Sequence, residues 1–539
     1  MLTVGIHGIP DPKEENRSHD HGIAFMRDGK VIAHMELERF NRIKHAGNLP
    51  CMIDQLIHSV WNGKEKIRFV LVNSFLGSDF VSDCLTIKTP GDFSLYNQIT
   101  QSDGVFISSG KHVEAQFYTI AHEIAHIATC LPFIGNFENK SLLVHIDGGA
   151  WVSNTSVWYW DGDKLRLIDF GWENETKVAV KNFNANLLSA CILGLELTDH
   201  LSMPGKLMGL ASYGRSNPKL LSILMEHNWF QEWDAGTNAL ETLLSEKLQQ
   251  KMKLMTTDSM SQDIAHCMQK HFESSVLKHI QRYQVETEAK CLYYSGGAAL
   301  NIHANTRIEN NSGFKSIFIP PAPNDSGLAL GAAAFLEWCL NKPIQECGAY
   351  LNGFQIIEAP LYDTIQLREV AEKIADKEVV ATCFGNGEIG PRALGHRSCL
   401  ARPDDIRLRI KLSEKMKKRE WYRPVAPLMS EEIAKKALVN YQPESPLGRF
   451  MLGAWKVKPE WQYYFSGVIH IDGTVRAQIV DVSNTELKPI YELLNILDHE
   501  YDIKGCINTS FNSKGLPIVQ TSEDADIESN KLGVQYLWV

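Results

Sequence analysis

The chain has 539 residues, and at about 150 residues per domain this length predicts several domains and excludes a small binding module. Hydrophobic residues make up 44% and charged residues 22% of the chain, values typical of a globular protein and not of a disordered one. The formal net charge of −10 argues against the broad basic surface of a nucleic-acid-binding protein.

The start of the chain, its apolar runs and its cysteines indicate the cellular compartment. The start of the chain has neither a basic segment nor a continuous apolar stretch, so we predict no secretory signal. Nowhere does the sequence contain a run of about 18 apolar residues, so no membrane span is predicted. The 11 cysteines are scattered and never spaced C-x-x-C, as is typical of reduced thiols. We therefore expect a cytoplasmic protein.

Strands are predicted where short apolar or β-branched runs are bounded by polar or glycine-containing turns. In chain order these runs are Thr3–Ile6, Gly22–Met26, Val31–Glu36, Ile67–Asn73, Leu142–Asp147, Cys291–Tyr294, Ile317–Pro320, Val379–Phe384, Tyr464–Ile471, Arg476–Val482 and Cys506–Asn508. Helices are predicted over Phe117–Cys130, Ser261–Arg282 and Gly327–Leu340, the second because apolar residues recur at every fourth position. Alternating strands and helices predict an α/β protein.

A domain boundary is predicted near residue 350. The stretch from Leu340 to Pro360 contains Pro343, Gly348 and Gly353 and has no strong periodicity. We therefore divide the chain into residues 1–350 and 351–539, and the second part has enough predicted strands for a core of its own.

Four residues form a candidate metal site. His122 and His126 belong to His-Glu-Ile-Ala-His and lie one turn apart on a predicted helix, so both imidazoles can bind one ion. Asp147 follows a predicted strand and Asp325 precedes a predicted helix, positions where α/β sheets present polar groups. Two histidines and two aspartates suit Fe(II), Zn(II) or Mn(II), and the sequence does not choose among them.

The same motif leaves two other interpretations open. One is a pair of partly exposed helix histidines without a metal. The other is a zinc peptidase in which Glu123 acts as the general base, although the metzincin continuation of the motif is absent.

Glycine-rich turns in the first part are candidate phosphate sites. Ser295-Gly296-Gly297-Ala298 follows a predicted strand and precedes a predicted helix that contains Asn301, so its backbone N–H groups could bind a phosphate. Glycines on either side of Lys206 would also let the backbone approach a nucleotide, with tight packing as the alternative.

A second phosphate site is predicted from cations in the second part. Residues 390–398 (GPRALGHRS) place two arginines around a turn, and residues 415–423 (KMKKREWYR) add five more cations. With Arg476 and residues 508–512 (NTSFN) they could form a pocket in which arginine forks bind several phosphates. A solvated basic helix is the alternative, and Trp421 beside the cations argues against it. No G-x-S-x-G elbow or complete Walker A motif is present, which disfavours serine hydrolases and P-loop enzymes.

Ordered over nearly the whole chain, these motifs resemble those of the O-carbamoyltransferases of antibiotic and nodulation-factor tailoring. The matching stretches are His19-Asp20 with Gly22, ERFNRIKH (38–45), HEIAH (122–126), IDGG (146–149), GKLMGLASYG (205–214), SGGAALN (295–301), PNDSGLALGAA (323–333), GPRALGHRS (390–398), KKREWYRPVAP (417–427), DGTVRAQ (472–478) and NTSFN (508–512).

The resemblance implies two α/β domains with different tasks. Residues 1–350 would form a threonylcarbamoyl-transferase-like domain of the actin/Hsp70-type ATPase fold, and residues 351–539 a YrdC-like domain. The YrdC-like domain would make carbamoyl-adenylate from carbamoyl phosphate and ATP with Mg2+. The first domain would then transfer the carbamoyl group to a hydroxyl of a small-molecule or sugar acceptor, and a homodimer is implied as well.

The resemblance also assigns site residues. It implies that the metal, usually iron(II), is bound by His122, His126, Asp147 and Asp325. Residues implied to hold carbamoyl phosphate and ATP are Arg392, Arg423, Arg476, Asn508 and Ser510. Residues implied to lie near carbamoyl-adenylate are Lys44, Lys206, Gly296, Gly297 and Asn301. His19 lies where the family meets its acceptor, and the base for the acceptor hydroxyl is left open among His19, Asp147 and Asp325.

Two questions stay open in the sequence. A threonylcarbamoyl transferase acting on tRNA is the alternative function, and the net charge of −10 disfavours it because phosphate neutralisation dominates RNA affinity. The acceptor is not identified, since the residues that would select it are expected in the variable regions 74–109 and 182–204.

Overall fold

The computed structural model describes residues 1–8, 19–73, 79–150, 152–171, 187–231, 233–355 and 363–537. Within these ranges, strands and helices are mixed along the whole chain, which confirms the predicted α/β class. None of the helices in the described ranges is long and apolar enough to cross a membrane. The predicted acceptor-selecting regions fall partly outside the described residues, at positions 74–78 and 182–186.

The first sheet is built from the beginning of the chain. Its strands are β1 (Leu2–His7), β2 (Gly22–Arg27), β3 (Lys30–Glu36), β4 (Ile67–Asn73), β5 (Phe80–Val81), β6 (Leu85–Lys88), β7 (Ile99–Ser108), β8 (Lys111–Val113) and β9 (Ala115–Ala121). They are ordered β3-β2-β1-β4-β9-β7-β6-β5, with β8 beside β7. Strands β1, β2 and β3 are antiparallel, whereas β4 and β9 run parallel to β1.

The second sheet repeats this arrangement. Its strands are β10 (Ser141–Ile146), β11 (Thr155–Trp160), β12 (Leu165–Gly171), β13 (Cys291–Ser295) and β14 (Ser316–Phe318). Their order is β12-β11-β10-β13-β14, with three antiparallel strands followed by two that run parallel to β10. The same order and directions occur in β3-β2-β1-β4-β9. This duplication is the topology of the actin/Hsp70-type ATPase fold, so that prediction is confirmed.

Helices cover these sheets. In the first part they are α1 (Leu37–Asn41), α2 (Ile53–His58), α3 (His122–Ala128), α4 (Leu131–Ile134), α5 (Leu187–Leu193), α6 (Met203–Ala211), α7 (Pro218–Glu226), α8 (Thr237–Leu248), α9 (Ser259–Thr287), α10 (Ile302–Asn311) and α11 (Leu328–Cys339). Helix α11 packs directly on β1, since a Cβ atom at Gly5 would lie 2.0 Å from the carbonyl oxygen of Ala329. Helix α9 confirms the helix predicted over Ser261–Arg282.

The helix predicted over Phe117–Cys130 is partly wrong. Residues Ala115–Ala121 form β9, and helix α3 begins only at His122. Strand β9 lies between β4 and β7, so its backbone hydrogen-bonds on both edges. Pairing on both edges, together with the β-forming Phe117, Tyr118, Thr119 and Ile120, outweighs the helical pattern at this position.

The second part contains its own mixed sheet. Its strands are β15 (Val380–Thr382), β16 (Ser398–Ala401), β17 (Ala426–Ser430), the short pair β18 (Trp455–Lys456) and β19 (Thr474–Val475), β20 (Gln478–Val480), β21 (Cys506–Ser510) and β22 (Gln535–Leu537). The main sheet has the order β20-β17-β21-β16-β15-β22. Its helices are α12 (Thr364–Ala375), α13 (Ile406–Ile410), α14 (Glu431–Ala437), α15 (Lys488–Tyr501) and α16 (Ser522–Leu532). The α/β character is as expected, and a likeness to YrdC stays a prediction.

One predicted strand and one alternative interpretation in this part are wrong. The strand predicted over Tyr464–Ile471 is absent from the described structure, where Tyr463–Phe465 form a 3-10 turn. Gly467 packs closely against the backbone of Pro403, since a Cβ at position 467 would lie 2.7 Å from the carbonyl oxygen of Pro403. This tertiary contact, and not pairing with a neighbouring strand, determines the conformation of the segment. The basic segment 415–423 is not a helix either, because the π-helix Lys411–Met416 ends at its second residue.

The two parts share a core. One apolar cluster contains Leu207 and Phe272 of the first part together with Tyr422 and Val425 of the second. Gly209 of α6 packs against the carbonyl oxygen of Tyr422, which would lie 3.3 Å from an added Cβ. The two parts on either side of residue 350 therefore pack against each other through an apolar interface. The position of the boundary stays a prediction.

Candidate active site

One large cavity of about 950 Å³ lies between the two parts of the chain. The cavity is lined by most of the residues that the sequence singled out, namely His19, Lys44, His122, Asp147, Lys206, Gly297, Asn301, Asp325, Arg392, Arg423, Arg476, Asn508 and Ser510. His126 and Gly296 lie behind its wall. The structure thus brings the predicted metal residues and the predicted phosphate residues to a single space.

The predicted metal residues converge at one end of the cavity. Helix α3 places His122 and His126 one turn apart, and their Nε2 atoms lie 3.0 Å from each other. Asp325 Oδ1 lies 3.4 Å from His126 Nε2 and 3.8 Å from His122 Nε2. Asp147, directly after β10, has its Oδ2 atom 3.8 Å from His126 Nε2. The ligand atoms of His122, His126 and Asp325 therefore meet at one spot, and Asp147 lies beside it, next to His126.

The protonation of these histidines follows from their contacts. His126 Nδ1 lies 3.0 Å from the carbonyl oxygen of Pro323, which can only accept, so Nδ1 carries a proton and Nε2 faces the two aspartates. Against the effect of burial, Asp325 and Asp147 raise the pKa of His126, so a metal ion at Nε2 would take the place of a proton. Burial lowers the pKa of His122 well below its usual range, which keeps this imidazole neutral. Two imidazole nitrogens and two carboxylates form a donor set that fits a divalent transition metal.

Glu123 does not face the histidine pair as a free base. Its Oε1 atom accepts hydrogen bonds from the backbone N–H groups of Val152, at 2.8 Å, and Ser153, at 3.0 Å. The carboxylate thus holds the loop that follows Asp147. The zinc-peptidase interpretation needs Glu123 beside the metal to activate water, so these contacts do not support it.

Further polar residues that the sequence did not select surround His19. Asp20 Oδ2 lies 3.3 Å from His19 Nδ1, and Asp20 Oδ1 lies 2.8 Å from His45 Nδ1. His7 Nε2 lies 3.2 Å from the carbonyl oxygen of His19 and 3.9 Å from Asp325 Oδ2, so His7 lies between His19 and the predicted metal residues. The His19-Asp20 dipeptide was a signal for Asp20, whereas nothing in the local sequence marks His7.

The glycine turn after β13 serves packing as much as ligand binding. Gly296 has a φ of +100°, and a Cβ there would lie 2.1 Å from the carbonyl oxygen of Ile146, so only glycine fits. The N–H of Gly297 donates to the carboxylate of Asp147. Asn301 caps helix α10 by accepting from the N–H of Ala304 at 3.1 Å. Gly297 and Asn301 therefore hold the wall of the cavity near the metal residues.

A cluster of cations lines the other end of the cavity. Arg392, Arg419, Arg423, Arg476 and Lys417 all contribute to this wall. Burial, together with Arg423, lowers the pKa of Arg392 to about 10 and that of Arg419 to about 9. Among the described residues, Arg423 alone of the five has a carboxylate within 4 Å, Glu420 at 3.5 Å.

The cluster also retains unused hydrogen-bond donors. The Nε atoms of Arg392 and Arg476 are buried and have no hydrogen-bond partner among the described residues. Lys417 donates to Ser510 Oγ at 3.0 Å and to Asn512 Oδ1 at 2.8 Å, which ties the basic segment to the end of β21. Several cations that have no counter-ion among the described residues thus face an open space, an arrangement that suits a polyanion.

Comparison with known proteins identifies the family. Residues 98–334 match the model of the carbamoyltransferase N-terminus, and residues 371–539 match that of the carbamoyltransferase C-terminus. Nodulation protein U of Rhizobium tropici is 30% identical over 556 residues, covering 92% of this chain and 90% of that protein. Nodulation protein NolNO of Sinorhizobium fredii is 27% identical over 569 residues, covering 97% and 80%.

The similarity to one solved structure, full-length HypF, is weak. Full-length HypF in the phosphate- and nucleotide-bound form aligns with 64% of this chain and 56% of its own at 12% identity, with a TM-score of 0.33, too low to bear on fold or function. The match of both terminal models and the near-complete alignment with Nodulation protein U are decisive. The chain belongs to the carbamoyltransferase family and is a carbamoyltransferase.

Proposed function

We propose that this carbamoyltransferase is an ATP-dependent O-carbamoyltransferase that works in two steps. The C-terminal part makes carbamoyl-adenylate from carbamoyl phosphate and ATP, and the N-terminal part transfers the carbamoyl group to an acceptor hydroxyl. One observation carries the proposal: the cationic cluster, of which Arg423 alone has a carboxylate within 4 Å among the described residues, and the His/Asp cluster line the same cavity.

The first step requires a polyanion site. Carbamoyl phosphate and water give carbamate and inorganic phosphate, and a carbamate oxygen then displaces pyrophosphate at the α-phosphorus of ATP. Arg392, Arg423 and Arg476 supply planar donor forks for the phosphates, and Asn508 and Ser510 border the same site. Because these cations are held in place before substrate arrives, they offset the charge of two anionic substrates without reorganising.

The second step takes place at the metal end. The acceptor oxygen attacks the carbamoyl carbon, the bond to the adenylate oxygen breaks, and AMP leaves. His122, His126, Asp147 and Asp325 would hold Fe(II), Zn(II) or Mn(II), and such an ion polarises the carbamoyl carbonyl when bound. Lys44, Lys206, Gly297 and Asn301 border the space for the adenylate.

We assign the acceptor proton to His19 in preference to Asp147 or Asp325. Its Nδ1 atom lies 3.3 Å from Asp20 Oδ2, so the imidazole donates from Nδ1 and, in its neutral form, accepts the proton at Nε2. Against the effect of burial, the hydrogen bond to Asp20 and the charge of Asp325 raise the pKa of His19 to about 9, so the neutral form becomes more populated as the pH rises towards 9. The two aspartates belong to the metal donor set, which engages their oxygens. The acceptor is a hydroxylated small molecule or sugar, and the net charge of −10 counts against tRNA. A homodimer and a cytoplasmic location stay predictions.

The test is the first half-reaction without acceptor. The purified protein is incubated with ATP, Mg2+ and carbamoyl phosphate, and pyrophosphate release and ATP–pyrophosphate exchange are followed against a control without carbamoyl phosphate. We expect both signals to depend on carbamoyl phosphate. Background rates in a metal-loaded, folded protein, with and without hydroxylated acceptors, would refute the proposed adenylation.

A further inference from the structure

A buried ion pair of the N-terminal part, Glu36 with Arg39, hydrogen-bonds to the backbone of Gly390 in the C-terminal part. Arg39, on α1, is 1% exposed, and its Nη2 atom donates to the carbonyl oxygen of Gly390 at 2.7 Å. Its Nε atom donates to Glu36 Oε2 at 3.2 Å. Glu36 Oε1 in turn accepts the N–H of Gly390 at 2.5 Å. Both polar groups of the Gly390 backbone are therefore bound by residues that lie at the end of β3 and in α1.

Gly390 begins the turn that contains Arg392. Gly390 has a φ of +83°, and a Cβ there would lie 2.5 Å from the carbonyl oxygen of Pro321, so this turn has little freedom. On its far side, Glu388 Oε1 accepts the N–H groups of Leu394 at 2.6 Å and of His396 at 3.0 Å. Two carboxylates, one from each part of the chain, thus fix the backbone on both sides of Arg392.

Arg392 itself depends on this backbone. Within the described ranges it forms no ion pair with a carboxylate, its charged neighbour is Arg423, and its Nε atom has no hydrogen-bond partner. No side-chain contact of that kind therefore holds its guanidinium in the cavity, and its position follows from the path of the turn. A shift of the turn would move the guanidinium away from the anions that it is meant to bind.

We propose that Glu36 and Arg39 are positioning residues for Arg392, so that the N-terminal part completes the anion site of the C-terminal part. The inference rests on the proposed function, which assigns Arg392 to the substrate phosphates. The inference assigns a role to Arg39 of the ERFNRIKH segment. It also explains why the protein has an ion pair in its interior, where the net contribution of such a pair to stability is small. Position 39 needs a guanidinium group because Arg39 Nε donates to Glu36 while Arg39 Nη2 donates to the carbonyl oxygen of Gly390.

The experiment measures the binding of pyrophosphate, a product of the proposed first step, by titration calorimetry on the full chain. Arg39→Lys keeps the charge but cannot serve Glu36 and Gly390 in the same geometry. We expect its Kd for pyrophosphate to rise about tenfold, and that of Glu36→Gln to rise in the same direction. Arg68→Lys is the matched control, because Arg68 is also buried and donates to Thr3 at 2.7 Å within the N-terminal part. Its Kd should equal that of the unmodified protein.

A double variant separates positioning from general destabilisation. If Arg39 acts through Arg392, then Arg39→Lys has no further effect on the Kd in an Arg392→Ala background. Full additivity, an unchanged Kd in Arg39→Lys, or an equal loss in Arg68→Lys overturns the inference, as does a protein that binds no pyrophosphate. If pyrophosphate binding depends on Arg39 but no exchange depends on carbamoyl phosphate, the inference holds and the proposed reaction fails.

Discussion

Lys206 Nζ lies 3.2 Å from Glu420 Oε1, and this ion pair joins helix α6 of the N-terminal part to the basic segment of the C-terminal part. Glu420 Oε2 also lies 3.5 Å from Arg423 Nη1. One carboxylate therefore neutralises a cation assigned to transfer and a cation assigned to adenylation. An anionic intermediate that binds Lys206 would therefore share this ammonium group with Glu420 or compete with Glu420 for it.

Lys206→Met should slow carbamoyl transfer far more than adenylation. Without Lys206, the adenylate loses a cation on the N-terminal side of the cavity, whereas the arginine cluster is unchanged. We expect carbamoylated product to form at least about tenfold more slowly, a barrier increase of about 1.4 kcal/mol. Product formation and ATP–pyrophosphate exchange are measured on the same preparation, and equal losses in both would contradict the assignment of Lys206.

His122→Ala and His126→Ala should each lose the bound metal. Removing one of two imidazoles leaves an incomplete donor set, which two carboxylates do not replace for a transition metal. Metal content per chain, measured by elemental analysis after dialysis, should fall to a small fraction of the unmodified value. Glu123→Gln is the control, because Glu123 contacts the backbone of Val152 and Ser153 and should keep the metal. A metal-free Glu123→Gln variant would argue that Glu123 is a ligand.

Arg423→Ala should abolish exchange while the metal stays bound. The side chain lines the cavity beside Arg392 and Arg419, and its loss removes a fork from the polyanion site. Arg449→Ala is a suitable control, since Arg449 is 57% exposed and has only a distant carboxylate, Asp481 at 3.9 Å. We expect near-normal exchange in that control. Unimpaired exchange in Arg423→Ala would remove this residue from the adenylation site.

Pyrophosphate should stabilise the protein against thermal unfolding. A ligand that binds only the folded state adds about 2.7 kcal/mol at a hundredfold excess over its Kd. The gain should shrink as sodium chloride is raised, because salt screens the partly exposed cations. Differential scanning fluorimetry across a salt series measures both effects. A Tm shift that is insensitive to salt, or equal in Arg423→Ala, would point to binding elsewhere.

Glu36 should make the protein less stable as the pH rises from about 4.5 to 7. Burial raises the pKa of Glu36 to about 7, against the opposing charge of Arg39. Between the unfolded and folded pKa values the folded state keeps the proton and the unfolded state does not, so the free energy of unfolding falls with rising pH. The loss is on the order of 3 kcal/mol across this window. Urea unfolding at pH 5 and pH 7.5 should show a smaller difference in Glu36→Gln than in the unmodified protein.

Much of the site could be predicted because its residues occupy positions with local meaning. His122 and His126 share a face of a helix because they are four residues apart, and Asp147 follows an apolar strand. The cations of residues 415–423 were visible as a charge cluster, with Trp421 beside them. Local pattern failed where neighbouring strands decided the conformation, as in Ala115–Ala121, which pairs on both edges.

The contacts that cross the interface were beyond local pattern. Arg39 and Gly390 are 351 positions apart, and only the packing of the two parts makes them partners. Within the N-terminal part, His7 at the end of β1 and Asp325 in the turn before α11 are also far apart in the chain, and they meet because α11 packs on β1. A carboxylate such as that of Glu123 carries the same charge whether it binds a metal or accepts hydrogen bonds from a loop. Which of the two it contacts could therefore be learned only from the structure.

The sequence by itself determined which chemical groups the protein has: a His/Asp donor set, a group of arginines and glycine turns, in the order of the carbamoyltransferase family. Helical and strand periodicity carry such information because they depend on neighbours a few residues away. Only the tertiary structure decided that both sets face one cavity and that Glu36 and Arg39 hold the turn of Arg392. Those relations depend on burial and on the angle at which two cores pack, which sequence spacing does not encode.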